Sequence, residues 1–117
     1  DVISIHIHAA KETEKFINKN LLNKMKKNVI LINTSRGEII DENDLVNFLK
    51  LNPKAKVGTD VLYDEIRNRK SSKLLIYSKN SNQVIITPHI GGMTLEAQEL
   101  AYSHSVKLLD KFLNKKQ

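Results

Sequence analysis

The sequence predicts an α/β fold built on a parallel sheet, and three observations carry that prediction. Short, β-branched apolar runs of strand length recur along the chain, and stretches with helical periodicity lie between them. Small polar and ionisable residues gather just after the apolar runs rather than at random. Strand–helix alternation of this kind gives parallel strands joined by right-handed crossovers.

Residues 2–7 are a β-branched run and read as the first strand. Residues 15–26 place Phe16, Leu21, Leu22 and Met25 at roughly the spacing of one helix face, which predicts a helix. Residues 29–32, VILI, are apolar on both faces, as a central parallel strand buried between two layers requires. Asp41 then opens a helix as its side-chain cap, with Asp44 three residues on completing a variant capping box. That helix buries Leu45, Phe48 and Leu49, and runs to about residue 51, where Pro53 stops its continuation.

Residues 56–60 read as a third strand, followed by a long polar stretch over 63–83 with one short helical turn at 73–77. Residues 84–87 form a fourth strand, ended by Pro88. From Thr94 onward the pattern is a single amphipathic helix, with Leu95, Tyr102, Val106, Leu109 and Leu113 along one stripe. Lysines crowd its C-terminal end, where they complement the helix dipole. There is no internal repeat and no low-complexity segment.

Composition narrows the function classes. At 117 residues the chain suits one domain. No apolar run is long enough for a membrane-spanning helix, and the opening DVISIHIH reads as a strand rather than a signal peptide. The absence of cysteine excludes disulfides and zinc–thiolate sites and suits a cytoplasmic location. The first residue is not methionine, which reads as a piece of a longer protein. The net charge of +6 comes mostly from scattered lysines, with Arg36, Arg67 and Arg69 as the arginines and only 5% aromatic residues. Nucleic-acid binders cluster their cations and interleave aromatics, so a solvated lysine-rich surface is expected instead.

In open α/β sheets ligands bind at the carboxyl ends of the strands. The residues just after each predicted strand therefore sample the site. His6, His8 and Thr13 come after the first, and Asn33, Thr34, Ser35, Arg36 and Gly37 after the second. Asp60 and Glu65 come after the third, and His89, Gly91 and Gly92 after the fourth. Each has a plainer reading when taken singly. Arg36 would be a surface arginine after a tight turn, Glu65 a solvated carboxylate, Gly91 and Gly92 a turn into a helix. His6 and His8 share a strand face at spacing two, yet no third metal ligand is evident, and no metal is expected.

The blocks ILINTSRGEIIDENDL, VGTDVLYDE and VIITPHIGGMTLEA together resemble the signature blocks of the D-isomer-specific 2-hydroxyacid dehydrogenases. Their order and spacing agree, and the resemblance covers nearly the whole chain. It implies the second half of a Rossmann-like parallel sheet with flanking helices and a long C-terminal helix. Residues 1–93 would be the C-terminal half of the dinucleotide-binding domain. Residues 94–117 would form a helix returning towards a substrate domain. The run from His89 to Gln98 is similar to the phosphoglycerate dehydrogenase branch, which suggests 3-phosphoglycerate among small D-2-hydroxy acids.

The resemblance also implies roles. Arg36 would grip the carboxylate and 2-oxygen of the acid, since a planar guanidinium offers paired donors that lysine lacks. His89 would be the general acid/base, a task suited to an imidazole. Glu65 would be its carboxylate partner, orienting the ring. The cofactor would be NAD, carrying the hydride. Asp60 would meet the nicotinamide carboxamide, and Ile7, His8, Thr13, Thr34, Ser35, Arg36, His89, Gly91 and Gly92 would line the cofactor. A homodimer is expected of the intact protein. The family commonly has proline at the positions of His8 and Ile66, so the first of these leaves the local cofactor contact open.

No G-x-G-x-x-G occurs in the chain. That turn brings backbone amides and a helix N-terminus to the pyrophosphate. The chain alone is therefore expected to be inert and prone to self-association. The alternative function, from another class, is an NAD-sensing or protein-interaction module of the corepressor kind.

Overall fold

A computed structural model describes residues 1–114. Four parallel strands, β1 (Val2–Ile5), β2 (Ile30–Asn33), β3 (Lys56–Thr59) and β4 (Val84–Ile86), lie side by side in chain order. Their register aligns Ile3, Leu31, Val57 and Val84 in one row and Ile5, Asn33, Thr59 and Ile86 in another. These rows face the helices α1 (Lys19–Leu22), α2 (Glu42–Leu51) and α4 (Lys73–Ser78), whose Leu22, Leu45, Leu49 and Leu74 complete the core. The short helix α3 (Glu65–Asn68) and the long helix α5 (Leu95–Asn114) lie outside it.

The predicted architecture holds, with four corrections. The helix expected over 15–26 shrinks to α1. Lys15 instead takes a left-handed turn at φ 51° and Ile17 forms a parallel bridge with Ile40: the amides of Lys15 and Ile17 donate to the carbonyls of Glu38 and Ile39, and that of Asp41 donates back to Ile17. Asn18 then caps α1 by accepting from the Asn20 amide. Apolar spacing suggested helix, but the bridge to the β2–α2 connection claims those amides first.

The capping box is the second correction. Asp41 does cap α2, accepting from Asn43 at 3.0 Å and Asp44 at 3.2 Å. Asp44 does not reach back, because the Asp41 amide is already bonded to Ile17; its carboxylate accepts from the Lys19 amide at 2.8 Å and so ties α1 to α2.

Third, β2 is not buried on both faces. All the packed helices cover one side, leaving Val2 65%, Ile30 41% and Ile85 72% exposed on the other. Fourth, β1 ends at Ile5, so His6 and His8 leave the strand as loop residues. The His6 Nε2 lies 2.7 Å from Ser4 Oγ, and no group of three or more acidic or histidine side chains among the described residues could hold a metal.

α5 spans 20 residues, begins one residue after Thr94 as expected, and buries none of them. Its apolar stripe (Leu95, Tyr102, Val106, Leu109, Leu113) stands in solvent, and the molecule is 63 Å long but only 27 Å across. The expected extension to residue 117, including Lys115 and Lys116, lies outside the described residues. No helix among the described residues is long and apolar enough to cross a membrane.

The polar stretch after β3 contains α3, a 3-10 turn and α4, the last where a short turn was predicted. Ser72 starts α4 by accepting from the Leu75 amide. Buried Gln83 fastens this region: its Nε2 donates towards the carbonyls of Leu49, Asn52 and Ala55, and its Oε1 accepts from the Tyr77 hydroxyl. The Leu49 carbonyl in the last turn of α2 and two carbonyls just beyond it are satisfied in this way.

Candidate active site

The loops after the strands meet at one edge of the sheet, and each is shaped by a particular hydrogen bond. After β2, the buried Asn33 accepts from the Ser35 amide at 3.1 Å and hydroxyl at 3.0 Å and donates to the Arg36 carbonyl at 2.9 Å. This is an Asx turn closed at both ends. It delivers Arg36 to the surface in extended conformation, with Nη1 donating to the Ser35 carbonyl at 2.7 Å.

After β3, the chain turns through Asp60 to Leu62, and Glu65 Oε2 accepts from the Leu62 amide at 3.1 Å. Its other oxygen, Oε1, pairs with His89 Nδ1. Glu65 is the first residue of α3, entered through Asp64 in the left-handed region at φ 50°. His89 also has a left-handed backbone, φ 58°, a conformation that costs a non-glycine residue about 1–2 kcal/mol. Such strain persists only where the surroundings enforce it.

Asp60 enforces it. Its carboxylate, on a residue only 7% exposed, accepts from the Thr87 hydroxyl, the Ile90 amide at 3.1 Å and the Gly91 amide at 2.8 Å. It thus grips the chain on both sides of His89. Burial alone would push this carboxyl up; the bonds from Thr87, Gly91 and Ile90, with His89 nearby, outweigh it and hold Asp60 below its ordinary 3.8. With Nδ1 of His89 engaged by Glu65, Nε2 is the ring nitrogen left for chemistry.

A cleft of about 630 Å³ is lined by Arg36, Glu65 and His89, together with Ala9, Glu38, Tyr63, Ile66 and Arg67. The three residues expected to act together therefore share one cavity. Of the residues expected at the cofactor, Arg36 and His89 line this cleft, and the others lie along the same edge outside it. Thr34 and Ser35 form the β2 loop, and Ile7 and His8 the exposed β1 loop. Thr13 closes that loop, with its hydroxyl 2.8 Å from the His8 carbonyl and from the Ala10 amide. Gly91 packs on Asp60, where a Cβ would come within 3.1 Å of Oδ2, whereas Gly92 has open space.

Sequence reasoning misses three contributors. Asn33 reads only as part of a polar loop, Thr87 as the end of a strand, and Glu42 carries no signal at all. The Asn-Thr-Ser order of an Asx turn could have exposed the first. Glu42 is silent because its partners, Tyr63, Ser72 and Leu74, lie 21 to 32 residues further on.

A half dinucleotide fold that converges an arginine and a glutamate–histidine pair on one strand edge defines a class of oxidoreductase-like domains. Residues 1–91 match the family model of the D-isomer specific 2-hydroxyacid dehydrogenase, NAD binding domain, and the chain belongs to that family. It is 44% identical over 100 residues to a glyoxylate reductase of Thermococcus litoralis, covering 85% of this chain and 28% of that relative. It is 40% identical over 99 residues to D-3-phosphoglycerate dehydrogenase 2, chloroplastic, of Arabidopsis thaliana, covering 85% and 15%. The crystal structure of a D-lactate dehydrogenase from Aquifex aeolicus, complexed with NAD and lactic acid, superposes with a TM-score of 0.74 at 30% identity. That match covers 98% of this chain and 38% of the other. The chain thus spans well under half the length of the relatives it resembles.

Proposed function

We propose that the whole protein is an NAD-dependent dehydrogenase interconverting small D-2-hydroxy acids and 2-keto acids, working as a homodimer in the cytoplasm. The observation that carries this reading is the His89–Glu65 pair facing Arg36 across one cleft. Arg36 binds the carboxylate of the acid and polarises its 2-oxygen through paired guanidinium donors. His89, oriented through Nδ1 by Glu65, holds or releases a proton at Nε2 next to that oxygen. Neutralising the oxygen as charge develops is what these side chains contribute to the transition state.

The residues present fit part of a dinucleotide. An unobstructed Gly92 leaves room at the strand edge, and in this reading Thr34, Ser35, Ile7, His8 and Thr13 hold the nicotinamide end. Asp60 is committed to the β4 loop, so its support for that end acts through the backbone it fixes. When bound, NAD(H) supplies or accepts the hydride. The pyrophosphate end has no glycine-rich turn in this chain. In this reading α5 returns towards a substrate domain, in keeping with its uncovered apolar stripe.

For the acid itself we favour a compact 2-keto acid of the glyoxylate or hydroxypyruvate type. Arg67 lines the same cleft and gives a phosphorylated acid, of the 3-phosphoglycerate kind, a second cation. Absorbance at the NADH band tests the reading, using the full-length protein with glyoxylate, hydroxypyruvate, pyruvate and phosphohydroxypyruvate. Turnover on at least one is expected. NADH binding with turnover on none would favour a sensing or interaction module, and would remove the dehydrogenase reading.

A further inference from the structure

We infer that Glu42 is a positioning residue for the Glu65–His89 pair, acting on the chain segment that carries Glu65. The inference rests on the proposed dehydrogenase reading for its kinetic consequence, but not for its structural one.

Glu42 is the first residue of α2, and only 8% of it is exposed. A carboxylate is rarely buried without an ion-pair partner, and none of the ion pairs among the described residues includes it, although Lys15 and Lys73 line the same cavity. Three donors replace one. Oε1 accepts from the Tyr63 amide at 3.1 Å and the Ser72 hydroxyl at 2.9 Å, and Oε2 from the Leu74 amide at 3.2 Å. The N-terminus of α2 adds its dipole.

Those donors are not scattered. They bracket residues 63–74, the segment that contains α3 and Glu65. Moreover, the Tyr63 amide held by Glu42 directly succeeds the Leu62 amide held by Glu65. Two carboxylates therefore grip successive peptide groups, one anchored in the core layer through α2, the other reaching His89. Between them and α3 sits Asp64, whose left-handed backbone needs its neighbours fixed. Removing Glu42 frees the Tyr63 and Leu74 amides together. The turn then no longer fixes where Glu65 presents Oε1, and the imidazole loses its defined orientation. Filling the core alone would need only an apolar side chain; holding both ends of this segment in register needs two acceptor oxygens.

The test is a double-mutant cycle in the full-length protein with NADH and its best 2-keto acid. Glu42→Ala is expected to lower kcat on the order of 10- to 100-fold, as small misplacement of a catalytic group does, with KM for NADH unchanged. In a Glu65→Ala background the same change should lower kcat little further, because its route to His89 is already gone. Glu42→Gln keeps the oxygen that serves Tyr63 and Ser72 but turns a donor towards the Leu74 amide, and should give a smaller but measurable loss of kcat. Ser72→Ala, which removes one donor, provides a milder loss should Glu42→Ala fail to fold. Equal losses in both backgrounds, or an unchanged kcat in Glu42→Gln and Ser72→Ala together with accelerated unfolding, would reduce Glu42 to a packing residue. Amide hydrogen exchange separates this from the functional reading. Glu42→Gln and Ser72→Ala should accelerate exchange at Leu62, which Glu42 does not touch, whether or not the wild type turns over any acid. Unaltered exchange at Leu62 would overturn the positioning role on its own.

Discussion

Gly37 and Leu62 meet so closely that a Cβ on the glycine would stand 2.1 Å from the Leu62 carbonyl carbon and 2.4 Å from the Tyr63 nitrogen. The peptide that receives this contact is the one whose flanking amides Glu65 and Glu42 hold. The arginine side of the site and the histidine side are therefore built against the same few backbone atoms.

Gly37→Ala should on this basis force the β2 and β3 loops apart. Backbone cannot yield as a flexible side chain can, so a loss of about 1–3 kcal/mol in folding stability is expected. Arg36, the preceding residue, should shift with its loop and raise KM for the acid. Urea unfolding and steady-state kinetics check both. Wild-type stability in the alanine variant would mean that the loops are not locked together.

Asp60 offers a test through pH. Its carboxyl lies below the ordinary 3.8 because the bonds from Thr87, Gly91 and Ile90 and the charge of His89 overcome the effect of burial. A depressed folded value means stability that is complete above the unfolded value and lost as the pH falls through the folded one. Asp60→Asn cannot show this loss, and its amide would turn a donor towards one of the amides Asp60 now accepts from, costing about 1–3 kcal/mol. The gap in Tm between wild type and variant should be constant from pH 7 to about pH 5 and narrow at more acid pH. A gap that stays constant down to about pH 2 would show that the Asp60 charge is not linked to folding.

The sheet is legible in the sequence because its signals are local. Residues 30–33, 56–59 and 84–86 are strands for reasons carried by their own side chains. Arg36, Glu65 and His89 stand out because each comes after a strand, and the family resemblance joins them. The features that escape depend on partners far along the chain. Ile17 pairs with Ile40, and so residues 15–17 are not helical despite their apolar spacing. Asp44 serves α1 rather than its own helix, and Glu42 binds a segment that begins 21 residues later. Asp60, which the resemblance assigns to the cofactor, also holds the loop that carries His89, through partners 27 to 31 residues further on.

The 117-residue chain by itself should self-associate. β1 is an edge strand with a free side, and Val2, Ile30 and Ile85 are exposed apolar residues on the open face of the sheet. Bare edges and apolar faces recruit further copies. Sedimentation velocity should show dimers or larger species at micromolar concentration, and NAD titration should show weak binding only. A monomer that binds NAD tightly would contradict both.

Arg36 and His89, brought into one cleft with Glu65, perform distinct tasks on the same acid in the proposed reaction. Steady-state oxidation of NADH by the full-length protein and its Arg36→Lys and His89→Asn variants tests this most directly. His89→Asn should lower kcat by roughly 10²- to 10⁴-fold, the span of a lost general acid, while NADH affinity is kept. Arg36→Lys should act mainly on KM for the acid, raising it on the order of tenfold or more as the paired donors are lost. Kinetics unchanged in both variants would contradict that division of labour.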